Sequence, residues 1–171
     1  KGQDLTFNFR GSAARQEFKI GFTEPYFLDR DVSAGFDLVQ STTDRQTESS
    51  FDERKAGGGL RLGYSLGPDL RQRLKYSLER TQIRNVDDQA SIFIKEQEGI
   101  NTVSQLSHTT SYDQLDNRRQ PSKGYAVSLT NDLAGLGGDA RHLRSKLRAG
   151  YFVPILEDQV LSFRLEAGHI K

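Results

Sequence analysis

The sequence contains no cysteine, no methionine and no tryptophan. Without cysteine there is neither a disulfide framework nor a zinc–thiolate site. Charge of one sign is also lacking, since 24 Lys and Arg stand against 23 Asp and Glu, a formal net charge of +1. That balance argues against a nucleic-acid partner, which calls for a basic excess, and against disorder driven by net charge. Long hydrophobic runs are missing too. The longest is Tyr151 to Leu156, interrupted by Pro154, far short of the roughly 20 residues of a membrane-spanning helix. No signal peptide is visible and the chain begins at Lys1 rather than Met, so the expectation is a mature or excised segment. A length of 171 residues fits one domain or part of a larger one.

One class passes through these exclusions. A transmembrane β-barrel carries apolar side chains only at every second position, so a mean hydropathy of −0.66 is compatible with a membrane.

Period-two alternation is the strongest feature present. Leu5, Phe7 and Phe9 alternate with polar neighbours, as do Phe18, Ile20 and Phe22, then Val32, Ala34, Phe36 and Leu38. The same pattern recurs in Leu60–Leu66, Leu74–Leu78, Tyr125–Leu129, Leu143–Val153 and Leu161–Ala167. Successive side chains of a strand point to opposite faces, so each segment has one apolar and one polar face. Val103–Leu115 alternates more weakly through Leu106, His108, Thr110 and Tyr112, but Thr and Tyr favour pleated structure. The sequence predicts about nine strands, at 3–10, 15–24, 31–42, 57–67, 71–83, 103–115, 124–133, 141–153 and 159–170. Leu70, Leu74 and Leu78, and likewise Leu143 and Leu147, also have helical spacing. Tyr76 would lie on the polar side of such a helix but on the apolar face of a strand.

All four prolines fall in even-numbered connections: Pro25, Pro68, Pro121 and Pro154. Proline lacks the amide that a ladder needs and belongs in turns. The odd-numbered connections contain none, and two of them, near 42–56 and 84–101, are long and polar. In an up-and-down meander alternate connections emerge at the same end. The expectation is therefore one end with tight proline-bearing turns and another with longer loops, the asymmetry of outer-membrane barrels. The stretch from Val86 to Asn101 should be the most irregular, with Ser91–Ile94 able to fold back as a short strand or turn.

The polar face decides between membrane and soluble architectures. Lys19, Asp37, Arg61, Glu79, Arg148, Arg164 and Glu166 share it, with Arg10, Glu17, Lys75, Arg144 and Lys146. As a packed core these charges would be severely penalised, whereas they suit the wall of a wet lumen. Phe7, Phe22, Phe36, Leu62, Leu129 and Phe163 are then expected to face lipid. Tyr26, Phe27, Tyr125, Tyr151 and Phe152 flank the proline-bearing end, where amphipathic rings would form a membrane-interface girdle. A sandwich with its apolar face inward is the competing reading. Nine antiparallel strands cannot close as a bacterial barrel, which uses an even number, so the expectation is an all-β segment of a larger up-and-down transmembrane barrel.

No catalytic constellation is found. His108, His142 and His169 share no ligand spacing. Asp87-Asp88 does not continue into a calcium-loop pattern. Gly57-Gly58-Gly59 lacks the Lys-Ser/Thr of a phosphate loop and reads as close backbone approach within a strand. Gly135–Asp139 reads as a loop. No catalytic, cofactor-binding or metal-binding residue is assigned, and no cofactor is expected.

Lys19–Leu38, KIGFTEPYFLDRDVSAGFDL, resembles a strand–turn–strand of the BamA family of outer-membrane β-barrel assembly factors, with Glu24-Pro25-Tyr26-Phe27 its most specific part. Tyr112–Leu129 resembles a second hairpin of that family, and Leu136–Ile155 the strand that follows. Together they cover most of the chain in family order. The family fold is a sixteen-stranded barrel preceded by periplasmic POTRA domains. The resemblance implies that residues 1–171 supply strands from about the third to the eleventh, with no POTRA repeat among them. The seam strands and the Val-Arg-Gly-Phe motif of the sixth loop are not found here, and Arg118-Arg119 replace an aromatic pair common before Pro121.

The implied function is non-enzymatic insertion of β-barrel proteins into the bacterial outer membrane, by membrane thinning and strand templating at the seam. The implied partners are unfolded outer-membrane proteins as substrates, outer-membrane lipid and accessory lipoproteins. A polypeptide-exporting relative, a passive porin-like channel and a soluble β-sandwich binding module remain as alternatives.

Overall fold

A computed structural model describes residues 2–46, 51–88, 90–156 and 159–171. Nine strands form one sheet: β1 (Asp4–Gly11), β2 (Arg15–Glu24), β3 (Val32–Asp44), β4 (Asp52–Ser65), β5 (Leu70–Arg84), β6 (Gly99–Leu115), β7 (Gly124–Ala134), β8 (His142–Leu156) and β9 (Gln159–Ile170). Each pairs antiparallel with the next in sequence. No pairing joins β9 to β1 among the described residues, so the sheet is open. The segments with leucines four apart are both strands. Tyr76 stands opposite Leu60 and Leu106, the placement that alternation demanded.

Two strands begin well before the positions that the sequence predicts. β4 begins at Asp52 rather than residue 57, and β6 at Gly99 rather than 103. The added residues, Asp52–Ala56 and Gly99–Thr102, carry little apolar alternation, yet their pairing with β3 and β5 continues unbroken. A long backbone ladder needs no hydrophobic face where both sides meet water. The predicted contrast in connection length shrinks accordingly, because 45–51 is no longer than 25–31. Only 85–98 is markedly longer, and it holds a one-turn helix, α1 (Ile92–Glu96), in place of the expected strand or turn. Lys95 Nζ donates to the Asp88 carbonyl at 2.6 Å, tying the helix back to the loop.

Pro154 also differs from expectation: it lies inside β8, opposite Val160, beside a register shift between Pro154 and Leu156. Pairing of β8 with β7 stops at Phe152, so Pro154 has a strand partner on one side only, where a missing amide is tolerated. The meander still places all four prolines at one end, opposite Asp44, Asp87 and Gly137.

The sheet has almost no core of its own. Ala134 is the single buried apolar residue among those described, whereas Phe7 is 62% and Phe163 58% exposed.

Candidate functional site

The pairing registers sort side chains into two continuous faces. On one, Leu5 stands opposite Phe22, Phe22 opposite Phe36, Phe36 opposite Leu60, and Leu60 opposite Tyr76. The same face runs through Leu106, Leu133 and Leu143, and through Leu129, Leu147 and Ala167. Phe7, Phe22, Phe36, Leu62, Leu129 and Phe163 all belong to it. Phe22 and Phe36 stack with ring centroids 5.7 Å apart.

The opposite face carries Lys19, Asp37, Arg61, Glu79, Arg148, Arg164 and Glu166. Its charges are tied in cross-strand and near-neighbour pairs. Glu17, only 4% exposed, takes Lys19 at 2.8 Å and also Arg15. Arg61 Nε meets Asp37 at 2.9 Å, while its Nη2 donates to the Phe22 carbonyl and Thr23 Oγ1 at 3.3 and 3.2 Å. Arg144 donates twice to one oxygen of Asp132, at 2.9 and 2.6 Å, and Ser107 donates to the other. Glu166 holds both Lys146 and Arg148, at 2.5 and 3.0 Å.

Exposure alternates against ordinary expectation. In β3, β4 and β7 the apolar positions Phe36, Leu38, Leu60, Leu62, Leu129 and Leu133 are exposed, while Asp37, Arg61, Ser128 and Thr130 between them are partly covered and Asp132 is buried. In these three strands the polar face is the more crowded one. The glycines of β4 fit that geometry: a Cβ at Gly57 would lie 2.8 Å from the Leu78 carbonyl, and one at Gly59 2.9 Å from that of Tyr76.

The aromatics expected at the proline end divide. Tyr125 and Tyr151 are cross-strand partners on the apolar face; Tyr151 also stands opposite Phe163, and the Tyr125 ring lies 5.8 Å from that of Tyr112. Tyr26 and Phe27 enter the 3-10 turn after β2. Phe152 lies on the charged face instead, with the Arg164 guanidinium 6.0 Å from its ring centre.

Sequence reasoning missed a row of polar residues crossing the apolar face. His108, Asn131, Ser145 and His169 are successive cross-strand partners on β6 to β9. Ser145 donates to Asn131 at 2.7 Å, and Gln72 Oε1 takes contacts from His108 at 2.7 Å and Thr110 at 2.8 Å. Tyr76 and the buried Ser104 hydroxyl pair at 3.0 Å. The weak alternation of β6 was the only sign of this row in the sequence.

Comparison with known proteins agrees with this architecture. The family model described as Omp85 superfamily domain matches residues 1–171. The chain is 30% identical over 167 residues to the outer membrane protein assembly factor BamA of Neorickettsia risticii, covering 97% of this chain and 23% of that protein. It is 28% identical to BamA of Nitratidesulfovibrio vulgaris, over 93% of this chain and 20% of that one. A SAM50-like protein of Drosophila melanogaster matches at 23% identity, over all of this chain and 40% of its own length. The chain thus spans about a fifth of the bacterial relatives' length. The crystal structure of BamA from Haemophilus ducreyi lacking POTRA domains 1–3 superposes with a TM-score of 0.76 at 17% identity, over 99% of this chain and 35% of that one.

Proposed function

The chain belongs to the Omp85 superfamily, and from that membership and the two faces of its sheet we propose that it is a wall segment of an insertase barrel in the bacterial outer membrane. Residues 1–171 supply nine of the barrel's strands, the third to the eleventh of sixteen. The whole protein accepts unfolded outer-membrane proteins and promotes their insertion, without catalytic groups or cofactor, together with accessory lipoproteins. A strand entering lipid must satisfy its backbone hydrogen bonds internally. Ordering that pairing is favourable in itself and needs no nucleotide.

The observation that carries this reading is a mainly apolar face that runs across nine strands, crossed by one polar row and backed by a charged face. Lipid meets Phe7, Phe22, Phe36, Leu62, Leu129 and Phe163. Water in the lumen meets Lys19, Asp37, Arg61, Glu79, Arg148, Arg164 and Glu166. Tyr26, Phe27, Tyr125 and Tyr151 lie at the periplasmic interface, with Phe152 turned to the lumen. In the polar row on the lipid side, the Ser145–Asn131 and His108–Gln72 hydrogen bonds offset the cost of polar groups facing hydrocarbon.

The test is reconstitution of the full-length protein in lipid vesicles, followed by addition of a urea-unfolded outer-membrane barrel protein. Faster acquisition of heat-modifiable gel migration than in empty vesicles is the expected result. Ion conductance without any acceleration would indicate a passive channel instead.

A further inference from the structure

On the charged face, two basic ridges enclose a valley of small hydroxyl side chains. Arg71, Arg73 and Lys75 alternate along β5, and Arg144, Lys146 and Arg148 along β8. Between them the registers run Arg71–Ser111–Ser128–Arg148 in one row and Arg73–Thr109–Thr130–Lys146 in the next. Three strand spacings separate the ridges, roughly 14 Å. Thr109 and Thr130 meet at 3.0 Å across the floor, so no long side chain fills it. At the proline end the valley opens into a hollow of about 480 Å³ lined by Ser111, Asp113, Ala126 and Ser128 and edged by Arg148, Arg164 and Glu166.

The charge around this valley is unbalanced. The β8 ridge is partly compensated, since Asp132 takes Arg144 while Glu166 serves both Lys146 and Arg148. Asp113 at the valley's end is taken by Arg118 at 2.6 Å. Among the described residues no carboxylate pairs with Arg71, Arg73 or Lys75, all three of which are exposed. Lys75 also stands directly opposite Arg61, and like charges so placed repel.

We propose that this valley binds an extended acidic polypeptide segment, laid along β6 and β7 with its carboxylates reaching the β5 ridge. A strand-like chain is about as wide as the gap between the ridges, and its alternating side chains repeat at the spacing of Arg71, Arg73 and Lys75. The hydroxyls of the floor offer donors and acceptors to its polar groups without steric demand. The inference rests on the lumenal assignment of the charged face made above.

The experiment uses the folded full-length protein in detergent and a fluorescein-labelled octapeptide of alternating Glu and Ser, read by anisotropy. Binding should weaken at least about tenfold in the R71Q/R73Q/K75Q variant, since several exposed ion pairs are lost together. It should be unchanged in Arg10→Gln, on the same face at β1. It should also vanish in about 1 M salt, where the screening length falls to roughly 3 Å. Equal binding of a Lys/Ser octapeptide, or undiminished binding by the correctly folded triple variant, would overturn the proposal. A Thr130→Cys variant, in a full-length protein with no other cysteine, keeps the question open to test if the triple variant does not fold. In vesicles its thiol should react with a charged maleimide and be protected by the acidic peptide. Reaction without protection refutes the valley alone, and failure to react refutes the lumenal face together with it.

Discussion

Arg61 and Leu62 are neighbours in β4 with opposite surroundings: Arg61 stands between Gly35 and Lys75, Leu62 between Ala34 and Leu74. Their depth along the strand is nearly equal, so exchanging each tests the faces and little else. On the proposed faces Leu62→Arg places a guanidinium against lipid, at about 2–4 kcal/mol near the bilayer midplane and less toward an interface. Arg61→Ala removes a charge that is held by Asp37 and that on the proposed faces meets water. Folding of the full-length barrel into vesicles should fall much further for Leu62→Arg. Equal losses, or a larger loss for Arg61→Ala, would mean that the faces are reversed.

Asp132 anchors the β7–β8 pair. It is 4% exposed and receives Ser107 on one oxygen and two Arg144 contacts on the other. Asp132→Ala should lower stability by about 1–3 kcal/mol, the range for hydrogen bonds to a charged group and for groups left unpaired. Urea unfolding of the barrel followed by tryptophan-independent circular dichroism would measure it. An unchanged midpoint would show that water replaces the carboxylate without loss.

The turn after β6 carries an acid-sensitive bond set. Asp116 accepts from the Ser122 hydroxyl and from the Ser122 and Lys123 amides, each amide at 3.0 Å. These bonds, the Ser122 hydroxyl first, pull its carboxyl down to about 2. Because the folded value lies below the unfolded one, the stabilisation is complete above about pH 4 and is lost as pH falls through about 2. The Ser122 and Lys123 amide resonances should therefore hold their shifts to below pH 3 and move together near pH 2. The Asp116→Asn variant should show no such step, and a transition near pH 4 in the parent protein would contradict the bonding.

Glycine is required at Gly35 and dispensable at Gly67. A Cβ at Gly35 would lie 2.4 Å from the Phe22 carbonyl, whereas nothing lies within 4 Å of one at Gly67. Gly35→Ala should cost about 1–3 kcal/mol, as overpacking does, and Gly67→Ala should be close to neutral. Denaturation midpoints of the two variants compared side by side decide it, and a Gly35→Ala midpoint equal to the parent's would remove close strand approach as the reason for this glycine.

The course of the sheet could be read from the sequence wherever apolar residues alternate, because a strand with one apolar and one polar face must show that period. Phe18, Ile20 and Phe22 mark β2 to the residue. Legibility fails where the ladder leaves the apolar band. Asp52–Lys55 has four charged residues in a row, and only pairing with β3 and β5 makes it a strand. The α1 turn escaped for a related reason: Ile92, Phe93 and Ile94 carry no period in so short a run, and all three remain uncovered or half-covered. Pro154 misled because a proline ordinarily ends a strand, and its one-sided pairing is visible only once β7 is seen to stop at Gly124. The face of each charged residue followed from parity alone. The valley between the basic ridges did not, since it depends on which strands are neighbours and on their registers.

On the proposed reading, hydrocarbon touches one face of this sheet and water the other. Spin labels placed one at a time from position 125 to position 133 of β7, in the full-length barrel in lipid vesicles, measure this residue by residue through collisions with oxygen and with a water-soluble nickel chelate. Leu129 should favour oxygen and Ser128 and Thr130 the chelate, with the preference alternating along the strand. A reversed alternation, or none, would contradict the membrane barrel.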